Sequence, residues 1–234
     1  MKPLIEVQNL KLSRGDFALE LPQWSVAAGQ VVGVVGNNGA GKTTLLGTLA
    51  GFWGPDSGSV RVFGMDPLHQ TTKVRTRLGF MSDDMSVFDT KVGALLKMVS
   101  GYYPSWDPAL VKTLTERFEL DPSQRTTALS RGQGTRLRLI LALAHRPQLL
   151  ILDEPAAGLD LHGRRALLQS VLEVVQDPER TVLISSHMLA DVERIADALL
   201  VLHHGKIIAQ GPTDRLVGEH RTLEEAMTQW EARQ

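Results

Sequence analysis

The 234-residue chain contains no cysteine. Disulfides and thiolate metal sites are therefore excluded, and the composition fits a reducing compartment. Net charge is also nearly absent, because 25 Lys and Arg stand against 26 Asp and Glu, leaving −1. That balance gives no electrostatic reason to expect nucleic acid or an anionic membrane surface as a partner, and none is expected. Long apolar runs are missing too. Crossing a bilayer as a helix takes about 18 or more consecutive apolar residues, and the most apolar helical stretch, "LRLILALA" at 137–144, is far shorter. The start, "MKPLIEVQNL", has neither the apolar centre nor the small-residue cleavage site of a secretory signal. The expectation is a chain soluble by itself, with any membrane role supplied through a partner. Its 43% apolar content is ordinary for one sizeable core, or a core plus a small subdomain.

Periodicity divides the chain. "IEVQNLKL" alternates as a strand, "FALELPQWSV" reads as a second, and "VVGVV" at 31–35 is short, β-branched and apolar on both faces, as parallel-sheet strands are. Helical spacing follows in "TTLLGTLAGFW", then a turn at "PDSG" and a strand in "SVRVFG". From about 86 to 146 the apolar positions follow helical spacing and prolines punctuate the sequence. "LLILD" and "TVLISS" then return as buried strands, each followed by a helix, and "LVLHHGKIIAQG" reads as a hairpin turning at "HHGK". The resulting expectation is a single α/β domain. Residues 1–85 and 147–212 form the core, with a mainly parallel sheet and an antiparallel N-terminal part. Residues 86–146 form an inserted helical subdomain, and 213–234 a short tail with an amphipathic helix.

Between the third strand and the helix after it lies "GNNGAGKT", which fills every fixed position of G-x-x-x-x-G-K-[ST] in the required strand–loop–helix context. Residues Gly36, Asn37, Asn38, Gly39, Ala40, Gly41, Lys42, Thr43 and Thr44 are the candidate phosphate binders. The glycines let successive N–H groups point inward, and the helix N-terminus adds partial positive charge. Lys42 should reach the β- and γ-phosphates and the Thr43 hydroxyl should bind Mg²⁺. The loop alone does not separate ATPase, GTPase and kinase.

A second site follows in "LLILDEP", where a buried strand runs into two carboxylates at the end at which parallel α/β sheets bind ligands. Asp153 is positioned for Mg²⁺. Alternation sends Glu154 to the other face, free to polarise water. In "LSRGQ", Ser130 can cap the helix that starts there and Gly132 permits close backbone approach, creating another anion site.

Taken in order, these segments resemble the nucleotide-binding subunit of ABC transporters. "GNNGAGKT" resembles the Walker A motif, "LSRGQ" the signature and "LLILDE" Walker B. "AGLD" at 157–160 resembles the D-loop, and "SSH" ending at His187 the switch histidine. The likeness covers residues 4 to 212. It implies ATP and Mg²⁺, and two subunits pairing head to tail. Each ATP would lie between Walker A of one subunit and Ser130, Arg131, Gly132 and Gln133 of the other, with Asp160 crossing the interface. Glu154 would be the base, and His187 would hold the γ-phosphate and the attacking water. The implied partners are a second copy or a homologous ATPase subunit, and an integral membrane permease, with the chain peripheral on the cytoplasmic face of the cell membrane. "YYPSWD" at 102–107 resembles segments of ATPases paired with ABC-2 type permeases, which points to export. A soluble ABC-type ATPase of a non-transport assembly, such as iron–sulfur cluster biogenesis, is also a single cassette of this length.

Two positions depart from the family pattern. The aromatic residue that stacks on adenine is replaced by Arg14, whose planar guanidinium could stack, with Phe17 as a substitute platform. The Q-loop glutamine falls at Asp83, which is expected to keep a metal or water contact. The apolar Met85, Val87 and Phe88 after it suit a groove for a permease helix.

Overall fold

The structure, a computed structural model, describes residues 2–218, 220 and 222–232, apart from the side chains at 174 and 175. Strands β1 (Ile5–Arg14) and β2 (Phe17–Val26) form a hairpin. β3 (Val31–Val35) leads through the glycine loop to α1 (Lys42–Leu49). β4 (Ser57–Val62), α2 (Thr71–Arg75) and β5 (Leu78–Ser82) follow, then the helices α3 (Val92–Ser100), α4 (Pro108–Arg117) and α5 (Arg131–Leu143). The chain returns through β6 (Leu149–Asp153), α6 (Leu161–Val175), β7 (Thr181–Ser185), α7 (Leu189–Ile195) and the hairpin β8 (Ala198–His203) and β9 (Lys206–Pro212). It finishes with α8 (Thr213–Val217) and α9 (Leu223–Glu231).

One sheet runs through the molecule in the order β4-β1-β2-β9-β8-β3-β7-β6-β5. The five strands β8, β3, β7, β6 and β5 pair in parallel, whereas β1 pairs antiparallel with both β2 and β4. This is the expected α/β class. The central strands are apolar on both faces because each face meets its own core. Val32 and Val34 of β3, with Leu149 and Ile151 of β6, pack towards α1 and the N-terminal hairpin. Val31 and Val35, with Leu150 and Leu152, pack towards α5, α6 and α7. The period-2 alternation of a strand thus feeds two cores at once.

The structure differs from the sequence expectation in three places. α1 stops at Leu49, short of the "AGFW" stretch, because the chain turns at Gly51 with φ 74°, where a Cβ would lie 2.2 Å from the Pro67 carbonyl oxygen. "LGFMS" is an edge strand, β5, where no strand is expected from the sequence. The tail, of which positions 219, 221, 233 and 234 lie outside the described residues, holds two helices. α9 is capped by the Thr222 hydroxyl and buries Leu223, Ala226 and Met227.

Candidate functional site

Pairing register brings the chemistry together. β3, β7 and β6 are adjacent and parallel, with Val34 opposite Ser185 and Ser185 opposite Asp153. Their C-terminal ends therefore present the glycine loop, Ser185 to His187, and Asp153 with Glu154 side by side, at the edge where parallel sheets bind ligands. The loop's geometry needs its glycines. Gly36 has φ 152° and a Cβ there would meet the Leu202 carbonyl oxygen at 2.3 Å. Gly41, φ 106°, caps α1 where a Cβ would strike Phe17 at 2.8 Å.

Lys42 is almost completely buried. Its Nζ donates to the carbonyl oxygens of Gly36 at 2.7 Å and Asn37 at 3.3 Å, and lies 3.9 Å from Glu154 Oε1. The second Glu154 oxygen is 2.7 Å from His187 Nδ1 and also accepts from the His187 backbone N–H at 3.2 Å. Strand alternation does not aim Glu154, because β6 ends at Asp153. A left-handed φ of 50° turns the Glu154 side chain to Lys42 and His187 instead. Asp153 is buried and accepts from Ser185 Oγ at 2.6 Å, and Ser185 Oγ in turn accepts from the Glu154 N–H at 2.9 Å. One serine hydroxyl thus fixes both carboxylate residues. The sequence reading missed Ser185, although its position at the end of the strand beside "LLILD" was a usable signal.

An open cleft of about 400 Å³ is lined by Asn38 to Thr44, by Glu154, and by Arg14 and Phe17. Arg14 and Phe17 face each other across the tip of the β1–β2 hairpin. The Arg14 guanidinium lies 3.9 Å from the centroid of Trp53, whose ring fills the space a side chain at Gly47 would need. The packing of Trp53 thus also holds the arginine at the cleft.

Ser130 caps α5 with a reciprocal capping box. Its Oγ accepts from the Gln133 N–H at 3.2 Å, and Gln133 Oε1 accepts from the Ser130 N–H at 2.9 Å. None of residues 130–133 lines the cleft. A Cβ on Gly132 would touch its own chain no closer than 3.7 Å, so this chain's fold does not demand glycine there. Asp160 accepts from the Gly163 N–H at 2.7 Å at the start of α6.

The Asp83 carboxylate binds Arg131 at 2.6 Å and Arg138 at 3.2 Å. Two guanidiniums on α5 take the oxygens that a cation would need, and Asp83 does not line the cleft. Arg138 is mostly buried, and burial pulls its pKa below the ordinary guanidinium value while Asp83 opposes that shift.

Among the described residues no three acidic or histidine side chains converge as a cation cage. The donor set still fits Mg²⁺, which is usually held by one or two protein oxygens together with water and substrate phosphates. The Thr43 hydroxyl at the cleft and the buried Asp153 carboxylate are hard oxygen donors of that kind. No helix among the described residues is long and apolar enough to cross a membrane.

Comparison with known proteins agrees with this geometry. The family model described as "ABC transporter" matches residues 19–157. The chain is 31% identical to the Nod factor export ATP-binding protein I of Rhizobium sp. (strain N33), across 94% of this chain and 74% of that protein. It is 36% identical to the daunorubicin resistance ATP-binding protein DrrA3 of Streptomyces coeruleorubidus, across 92% and 70%. A solved ATP-binding subunit of an ABC transporter superposes with a TM-score of 0.88 at 25% identity, covering 97% of this chain and 99% of that one. With a phosphate loop, a paired acidic strand end and a capped signature helix in this arrangement, the chain belongs to the ABC transporter family as an ATP-binding, ATP-hydrolysing subunit.

Proposed function

We propose that two copies of this chain pair head to tail, hydrolyse Mg²⁺-ATP at the two shared sites, and drive export through a separate membrane permease from the cytoplasmic face of the cell membrane. The observation that carries the pairing is the signature segment. It is pre-capped and offers an anion site, yet it does not line its own cleft, and Gly132 is open on its own side. A second copy's ATP is the occupant that such a surface suits. Export follows from the relatives, whose names refer to Nod factor export and daunorubicin resistance.

In this reading the inward N–H groups of residues 36–44 and Lys42 bind the phosphates. Lys42 must leave the Gly36 and Asn37 carbonyls to do so, exchanging two neutral acceptors for a charged one. Thr43 and Asp153 would hold Mg²⁺, whose chemistry is to neutralise charge that develops on the phosphate oxygens. Glu154 accepts the proton of the attacking water, and His187, hydrogen-bonded to it, orients both water and γ-phosphate. Arg14 and Phe17 offer the flat surface for the base. Asp83 is left out of the metal set and assigned to hold Arg131 and Arg138.

The permease has a candidate landing surface beside the loop after β5. Phe52, Phe80, Met85 and Tyr103 line an apolar groove of about 250 Å³, and Phe88, further along the same loop, is 71% exposed. Apolar groups left in water this way mark contact surfaces. The test is to tag the Glu154→Gln variant, express it in its own host, solubilise in mild detergent with Mg²⁺-ATP, and identify what co-purifies. A polytopic membrane protein in near-equal amount is the expected result. A soluble assembly partner with nothing from the membrane would overturn it.

A further inference from the structure

The C-terminal helix reaches the phosphate site from outside every motif described above. Leu223 and Met227 of α9 belong to the same buried cluster as Val192 and Ile195 of α7, and the Leu223 N–H donates to Glu193 Oε2 at 2.9 Å. One end of α9 is therefore fixed to α7, the helix that begins just after His187. At the other end, Glu231 Oε1 accepts from Asn37 Nδ2 at 2.7 Å and lies 3.7 Å from His203 Nδ1. Asn37 is no peripheral residue, because its carbonyl oxygen accepts from Lys42 Nζ and from the Ala40 N–H at 3.0 Å. A run of polar contacts thus leads from Glu231 through Asn37 to Lys42, and on to Glu154 and His187.

We infer that Glu231 is a positioning residue for ATP binding: its hydrogen bond to Asn37 ties the outer turn of the phosphate loop to α9, and α9 ties that turn to the helix behind His187. The inference rests on the nucleotide-site reading but adds a residue that no motif contains. The loop's other restraints are the Lys42 side chain on the Gly36 and Asn37 carbonyls, backbone contacts within the turn, and the Gly205 N–H of the β8–β9 turn, which donates to the Ala40 carbonyl oxygen at 3.1 Å. The Asn37 side chain is the handle by which α9 holds its outer turn in its binding shape before phosphate arrives. Preorganisation of this kind acts on affinity, because a loop already ordered gives up less entropy on binding.

The test reads affinity and turnover separately. Glu231→Ala should raise both the KM for ATP and the dissociation constant of Mg²⁺-ATP about 3–10-fold, the range of one partly exposed hydrogen bond, with kcat within about twofold. Dissociation constants are read by calorimetry in a Glu154→Gln background, so that ATP persists. Glu231→Gln keeps an oxygen to accept from Asn37 and should stay within about twofold of the parent. The inference is overturned by unchanged affinity in Glu231→Ala or by equal loss in Glu231→Gln. It is overturned too if the parent fails to bind ATP, a result that would remove the nucleotide-site reading as well and is told apart from the others by the parent's own titration.

Discussion

Replacing Glu154 by glutamine keeps the side chain's shape and leaves one carbonyl oxygen for His187, but removes the charge and the basicity. The carboxylate is about three-quarters buried, 2.7 Å from His187 Nδ1 and 3.9 Å from Lys42 Nζ. Lys42 holds two backbone carbonyls besides, so losing the more distant charge should cost the fold only about 1 kcal/mol. That corresponds to about 2–4 °C in Tm for a domain of this size. The effect on turnover should be far larger. A positioned base contributes about 10²–10⁴-fold, which is about 2.7–5.5 kcal/mol of barrier. Phosphate release under saturating Mg²⁺-ATP should therefore fall by at least about 10²-fold, while the dissociation constant of Mg²⁺-ATP stays near that of the parent. The two readings separate the roles around the site. Lys42→Ala should abolish binding itself, whereas Glu154→Gln should leave a protein that binds ATP and does not consume it. Turnover within about tenfold of the parent would remove Glu154 from the role of base, and a matching loss of affinity would show the carboxylate to be serving the loop instead.

Other perturbations test the supports of the site. Ser185→Ala removes the hydroxyl that serves buried Asp153 and the Glu154 N–H. Urea unfolding should show a loss of about 1–3 kcal/mol, and an unchanged midpoint would mean that Asp153 finds another donor. Gly47→Ala drives a Cβ to 2.1 Å from the Trp53 ring. Overpacking should cost about 1–3 kcal/mol and displace Arg14 from the cleft, so unaltered stability and ATP affinity would refute that packing argument. His145 is buried against Tyr103 with Nε2 3.1 Å from the Leu78 carbonyl oxygen, and burial pushes its pKa below the usual 6.5. The folded state thus holds it neutral while the unfolded chain takes up the proton more readily. Stability from this group is complete above about pH 6.5 and is lost as pH falls below that value towards the depressed folded pKa. Urea midpoints should drop between pH 7.5 and 5.5, and less so in His145→Gln; an identical drop would clear His145.

What could be read from the sequence was what a short segment must satisfy by itself. The phosphate loop needs glycine at particular backbone angles, a lysine, and a hydroxyl in consecutive positions, so "GNNGAGKT" announces both its shape and its ligand. Buried parallel strands need apolar residues on both faces, and "VVGVV", "LLILD" and "TVLIS" supply them. Ser130 and Gln133 form their capping box three residues apart, within reach of any reader of the sequence.

The remaining features depend on partners brought together by the fold. Asp83 looked free to serve a cation because nothing in "MSDDMS" reveals that Arg131 and Arg138, 48 and 55 residues later, will close on it. Their spacing on α5, seven residues or about two helical turns, puts both guanidiniums on one side of the helix, and α5 packs beside β5, whose end delivers Asp83. A carboxylate between two cations is a poor site for a third, since recruiting Mg²⁺ would strand Arg138, which is mostly buried. This carries its own consequence for the family pattern. Where a glutamine amide can both donate and accept, Asp83 can only accept, and the arginine of "LSRGQ" is the donor that answers it. Asp83 and the arginine of "LSRGQ" are therefore two halves of one interaction. Asp83→Gln should weaken this chain, because it leaves Arg138 without its charge partner.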